Sequence, residues 1–216
     1  MEHVLTRYTT GEEVFNTISH GIGAALSLAG TVILIVLAAM SGNGVALGSV
    51  TVYGSSLVIL YTMSALYHGV TNYKAKEILR IFDHTSIFLL IAGSYTPFCL
   101  IALQGNTRAL IVVSVVWVLA VLGIICNAID LEKAERPSLI LYVAMGWAIL
   151  AVIKDVIQVI PGPGFWLLFL GGVSYTGGIF FFASKKKYMH GIWHLFVLAG
   201  SLLHFICVAV YVMPMA

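Results

Sequence analysis

Seven apolar runs, each near the length a helix needs to cross a bilayer, dominate this chain of 216 residues. They lie near residues 15–40, 45–70, 81–103, 109–129, 138–160, 164–183 and 189–213. A segment in hydrocarbon must satisfy its backbone polar groups internally, so single runs of this length predict helices. Nothing alternates with the two-residue period of an outer-membrane strand. The expected breaks carry turn or loop chemistry: Ser41-Gly42-Asn43-Gly44, a charged loop from Asn72 to Arg80, and Gln104-Gly105-Asn106-Thr107. After them come a polar stretch from Asp130 to a helix-starting Pro137, then Pro161-Gly162-Pro163-Gly164, and a lysine triplet between Ser184 and Tyr188. Pro97 is expected to kink the third helix near its outer end. The fifth run is the weakest, because Lys154 and Asp155 interrupt it.

Composition closes the other possibilities. Apolar residues make up 60% and charged residues 9%, against roughly half and a quarter in soluble domains. One soluble core could not hide that much apolar surface, and disordered chains are poor in hydrophobes. A formal charge of +2 gives no basic surface for nucleic acid. Cys99, Cys126 and Cys207 are scattered, so they read as small hydrophobes rather than a disulfide framework or a thiolate metal site. No cleaved leader is expected, since the first apolar run is too long for one. The expected fold is an all-α membrane protein, a single seven-transmembrane helix bundle over residues 1–216.

The cations set an expected orientation. Arg7, Lys74, Lys76, Arg80, Lys133, Arg136, Lys185, Lys186 and Lys187 fall on the side of the N-terminus, and only Arg108 and Lys154 on the other. Nine against two predicts a cytoplasmic N-terminus and an external C-terminus. Lys154 and Asp155 are expected to snorkel to the outer interface.

Ionisable residues at membrane depth are costly to hold, so they carry the information about function. His20, His68, His84, His190 and His194 all fall at span ends of one leaflet. The agreement depends on parity: from Asp83 to His190 the chain crosses four times and returns to the same side. His190 and His194 are spaced i, i+4, which stacks two imidazoles on one helix face about 6 Å apart. His68 supplies a third, and zinc sites that keep an open position commonly use three protein ligands. Asp83 opens the third span nearby; an ion pair with Arg80 is its plainer use. Ser64 precedes His68 by four residues and shares its face. Glu13, Asn16 and His20 either brace the first helix against this site or simply cap that helix at the interface. His204 lies about 21 Å deeper than His190 on the same helix, too far to share an ion, and is expected to be a hydrogen-bonded interior histidine.

Three clusters together, Glu13-x-x-Asn16-x-x-Ser19-His20, Ser64-x-x-x-His68 with Asp83, and His190-x-x-x-His194, resemble the motifs of the progestin and adipoQ receptor (PAQR) superfamily, most closely its bacterial hemolysin III branch. The resemblance implies a seven-helix bundle in a bacterial cytoplasmic membrane with a zinc ion near the cytoplasmic face. It carries the zinc ligands over to His68, His190 and His194, the acidic residue near the metal to Asp83, and the family serine to Ser64. No long N-terminal domain or extracellular extension is present, so a protein-hormone partner is not expected.

Zinc held by three neutral imidazoles retains its charge and acidifies water. Asp83 would accept a proton, and Ser64 would help steady an oxyanion. A site at the end of a lipid-embedded bundle suggests a membrane lipid as substrate or ligand, and the family's eukaryotic link to ceramide hydrolysis points to a lipid amide. The alternatives are a structural zinc in a receptor-like or membrane-regulating protein, and a hemolytic pore-former.

Overall fold

The computed structural model describes residues 8–216 and builds, among them, seven helices long and apolar enough to cross a membrane. These are α1 (Thr10–Ser41), α2 (Gly44–Gly69), α3 (Tyr73–Ala102), α4 (Thr107–Ile129), α5 (Leu131–Val159), α6 (Gly162–Phe182) and α7 (Met189–Met215). Large apolar side chains such as Ile18, Leu26, Met40, Ile129 and Phe180 stand exposed around the outside. Such a surface suits lipid and would be untenable in water. Arg7, counted above with the cationic side, lies outside the described residues.

Short capping motifs place the helix ends. Asn43, Asn72 and Asn106 each accept hydrogen bonds from backbone N–H groups in the first turn that follows them. Gly42 ends α1 in the left-handed region at φ 69°, the conformation that glycine adopts without a Cβ penalty. Two expected loops prove helical. Residues 73–80 form the first two turns of α3, because Asn72 caps them. The stretch after Asp130 is likewise the start of α5: Asp130 accepts from the Lys133 amide, and strong helix formers follow. The Lys133 ammonium and amide hold the exposed Asp130 carboxyl below its usual range. Pro137 therefore sits inside the helix rather than starting it, at the cost of one backbone hydrogen bond.

Three helices are irregular toward the far end of the bundle, α7 among them, with a π-helical turn over Val208–Val212 and a 3₁₀ turn over Met213–Met215. After Pro97, α3 continues as a π-helical turn, Phe98–Ala102. The fifth helix breaks at Trp147, runs as a 3₁₀ turn over Ala148–Val152, then resumes at Ile153–Val159. Tyr95 of α3 mends this break: its hydroxyl donates to the Gly146 carbonyl at 2.9 Å and accepts from the Ile149 amide at 2.8 Å. In a membrane, backbone groups freed by a break need such partners. Asp155 does not snorkel alone; it pairs with Arg108 at 2.8 Å, and Lys154 is exposed.

Helices α1, α2 and α3 pack in close succession, and α6 packs chiefly on α7. Gly54 allows the first of these approaches, since a Cβ there would meet the Thr31 side chain at about 2.5 Å. A cavity remains between α5, α6 and the α2–α3–α7 side of the bundle. Its volume is about 150 Å³, roughly ten times what a single buried water occupies on that measure.

Candidate metal centre

Four helices bring polar side chains to one end of this cavity. His68 ends α2, Asp83 lies in the third turn of α3, His190 and His194 open α7, and α1 lies across them. One nitrogen from each of His68, His190 and His194 lies within 4.8 Å of the others. His68 and His194 are almost fully buried, and His190 is half-buried.

The neighbours of the rings decide which nitrogens point inward. The Nδ1–H of His68 donates to the Glu13 carboxylate at 2.6 Å, and the Asn16 amide lies 3.5 Å from the same nitrogen. That tautomer leaves the lone pair on Nε2, an atom buried without a hydrogen-bond partner. Ser19 donates its hydroxyl hydrogen to the Asn16 carbonyl at 2.9 Å, so its oxygen must accept from His194 Nδ1–H at 3.1 Å. His194 too therefore presents Nε2. Carboxylate and hydroxyl partners on the remote nitrogen are the usual way of orienting metal-bound imidazoles.

The donor set fits zinc. Imidazole nitrogen suits the ion, and tetrahedral bonds of about 2.0–2.1 Å would set the ligand nitrogens roughly 3.4 Å apart. The nitrogens of His68, His190 and His194 lie within 4.8 Å of one another, near enough for modest ring rotations to bring them onto one ion. The Asp83 carboxylate is not among this trio. It is half-buried and lines the same cavity as Ser64, His20, His190 and His194. Arg80, its expected ion-pair partner, instead meets Glu135 of α5 at 3.7 Å. Ser64 is buried on the cavity wall. His84 also lines the cavity, and its carbonyl accepts from the Tyr142 hydroxyl at 2.8 Å.

The two uses held open for the first motif separate on inspection. Capping of α1 belongs to Thr9 and Glu12, which form a reciprocal capping box. Glu13 and Asn16 turn toward His68, and His20 stacks on His194 at 3.5 Å with an 11° interplanar angle. Both ring nitrogens of His20 are buried without hydrogen-bond partners among the described residues.

Three contributors were missed from sequence. Glu12 also accepts from the Tyr188 amide at 2.8 Å, tying the start of α1 to the start of α7; the Thr9-x-x-Glu12 spacing was a legible signal for its capping role only. Ser19 stood within the first motif without a role. Lys76, counted only as a topology cation, is buried; it pairs with Glu13 at 2.8 Å and donates to the carbonyls of Tyr67, His68 and Val70 at the end of α2. Cations at helix C-termini are favourable in this way.

A family model described as Haemolysin-III related matches residues 8–205, a range that contains every residue of this site. A "Hemolysin-3" of Bacillus cereus is 42% identical over 219 residues, covering 100% of this chain and 100% of its own length. A "Hemolysin-3 homolog" of Bacillus subtilis (strain 168) is 42% identical over 205 residues, with 94% and 96% covered. A "Monocyte to macrophage differentiation factor" of Homo sapiens is 28% identical over 171 residues, with 74% and 68% covered.

Proposed function

Because the chain belongs to the Haemolysin-III related family of multi-pass membrane proteins, we propose that it is a zinc-dependent hydrolase of a lipid amide, ceramide-like in its headgroup, working at the cytoplasmic end of the bundle. One observation carries this reading. His68 and His194, oriented by Glu13 and Ser19, join His190 in one trio, and His190 and His194 line an apolar cavity whose wall also bears Asp83 and Ser64. A purely structural ion would need no such cavity beside it.

Each residue then has a defined task. His68, His190 and His194 would hold the ion. Bound there, zinc would supply Lewis acidity and acidify water. The Asp83 carboxylate would take up a proton from the attacking water and pass it to the departing amine. Ser64 would donate a hydrogen bond to the oxyanion that forms from the amide carbonyl. The apolar wall, with Ile91, Leu90, Val143 and Leu168 among its residues, would receive the acyl chain and exclude bulk water. The cytoplasmic placement is supported by the cations, since Lys76, Arg80, Lys133 and Lys185 lie at the histidine end and Arg108 at the other.

The test combines zinc content, melting temperature and fatty-acid release on parent, Asp83→Asn and His194→Ala proteins. Asp83→Asn is expected to keep its metal and lose on the order of a hundredfold in turnover. Hydrolysis in that variant equal to the parent eliminates Asp83 as the base. The name of the Bacillus cereus relative raises a lytic reading, so dye release from loaded vesicles belongs in the same experiment. Leakage without amide cleavage would favour lysis, and neither activity would favour a receptor-like role with structural zinc.

A further inference from the structure

The cavity has a second polar end. Ten residues of α7 separate His194 from His204, which at 1.5 Å per residue sets His204 roughly 15 Å deeper, near the middle of a hydrocarbon layer about 30 Å thick. Both histidines line the same cavity. His204 is only 8% exposed. Its Nε2–H donates to the Leu168 carbonyl of α6 at 3.0 Å, which makes Nδ1 a bare acceptor, and that atom is buried without a partner among the described residues. The seat is built for it: a Cβ at Gly171 would overlap the imidazole.

Beside it stands a matching donor. The Tyr175 ring centroid is 5.4 Å from that of His204, and Tyr175 also lines the cavity. Tyr61 donates to Ser201 Oγ at 2.6 Å, and Ser201 Oγ lies 2.8 Å from the Tyr175 oxygen. Either oxygen can donate in the Ser201–Tyr175 contact; because Ser201 already accepts from Tyr61, it can give its own hydrogen to Tyr175, which frees the Tyr175 O–H to donate to a ligand. A Cβ at Gly200 would press on the Tyr175 ring, so this side chain too has a fitted place.

We propose that this end of the cavity is a subsite for a hydroxyl group carried partway along a lipid chain, with Tyr175 donating to it and His204 Nδ1 accepting from it. The inference rests on the reading of the cavity as a lipid site. A hydroxyl is the group that both accepts and donates at one atom. A methylene would leave the buried acceptor of His204 unmet, which is unfavourable in an apolar interior. A ketone would satisfy Tyr175 alone, and a carboxylate would set its charge against the His204 lone pair.

The test uses the full chain, purified in detergent, and two probes: octadecanoic acid, and octadecanoic acid bearing a mid-chain hydroxyl. Displacement of a fluorescent fatty acid reports both affinities. The parent is expected to bind the hydroxylated acid about tenfold more tightly, the scale of one well-made buried hydrogen bond. Tyr175→Phe keeps the ring and should reduce the preference to under about threefold, with the affinity for the plain acid changed less than about twofold. His204→Gln, which keeps a donor for Leu168, should do the same. Equal binding of the two acids by the parent overturns the subsite and leaves the lipid cavity standing. An undiminished preference in both variants overturns the assignment of these residues. Failure of either acid to displace the probe overturns the subsite and the lipid reading together.

Discussion

Replacing Glu13 with Gln isolates what orientation contributes to metal binding. Glu13 touches no ion directly, yet its carboxylate holds the Nδ1–H of His68 at 2.6 Å and Lys76 at 2.8 Å. Glutamine fills nearly the same volume but exchanges a charge-assisted hydrogen bond for a neutral one. A hydrogen bond to a charged group contributes about 1.5–3 kcal/mol, and each 1.4 kcal/mol is about tenfold in affinity. Zinc affinity should therefore fall by roughly ten- to a hundredfold, the range typical of outer-shell partners of ligating histidines. Competition against a chelator of known affinity measures this on detergent-purified protein. Lys76 loses its anionic partner in the same variant, so a control must separate the two effects. Lys76→Met removes the pair from the other side and should lower the melting temperature, because the carbonyls of Tyr67, His68 and Val70 lose their donor. Its zinc affinity should change less than about threefold, since Glu13 still holds His68. Zinc affinity in Glu13→Gln within twofold of the parent would refute the orienting role, as would a loss in Lys76→Met of the same size.

Four further outcomes follow from the same geometry. Elemental analysis should find about one zinc per chain, and changing His68, His190 and His194 together to Ala should abolish it; full retention removes the assignment. Tyr95→Phe strips both hydrogen bonds from the broken α5 and leaves the Gly146 carbonyl and Ile149 amide unmet, which should cost about 1–3 kcal/mol and lower the melting temperature by several degrees, roughly 2–4 °C per kcal/mol. An unchanged melting curve would show that other groups mend the break. Ser19→Ala removes the acceptor that fixes the His194 tautomer and should weaken zinc binding by about tenfold, read by the same chelator competition; an unchanged affinity would show that His194 needs no such partner. Reporter fusions after Asn72, Ala134 and Lys186 should read cytoplasmic and a fusion at Ala216 external; an external signal near Lys186 would overturn the orientation.

The seven-helix architecture was legible because hydrocarbon offers the backbone no partner, so run length alone announces a spanning helix. The pairing of His190 with His194 was equally legible, since the helical period places i and i+4 on one face whatever surrounds them. Parity then brought His68 and Asp83 to the same end of the bundle. Helix ends were harder: the polar stretches before α3 and α5 read as loops, although Asn72 and Asp130 carried the caps that make them helical. Tertiary structure alone decided the rest. A soluble helix has an apolar stripe that fixes its rotation toward the core, whereas a lipid-embedded helix is apolar nearly all round, so its rotation is set by individual contacts with its neighbours. That rotation is what turned Glu13 toward His68 and Lys76, Ser19 toward His194, and Tyr95 toward the break in α5. It also sent Arg80 to Glu135 rather than to Asp83, leaving the carboxylate on the cavity wall with His190 and His194.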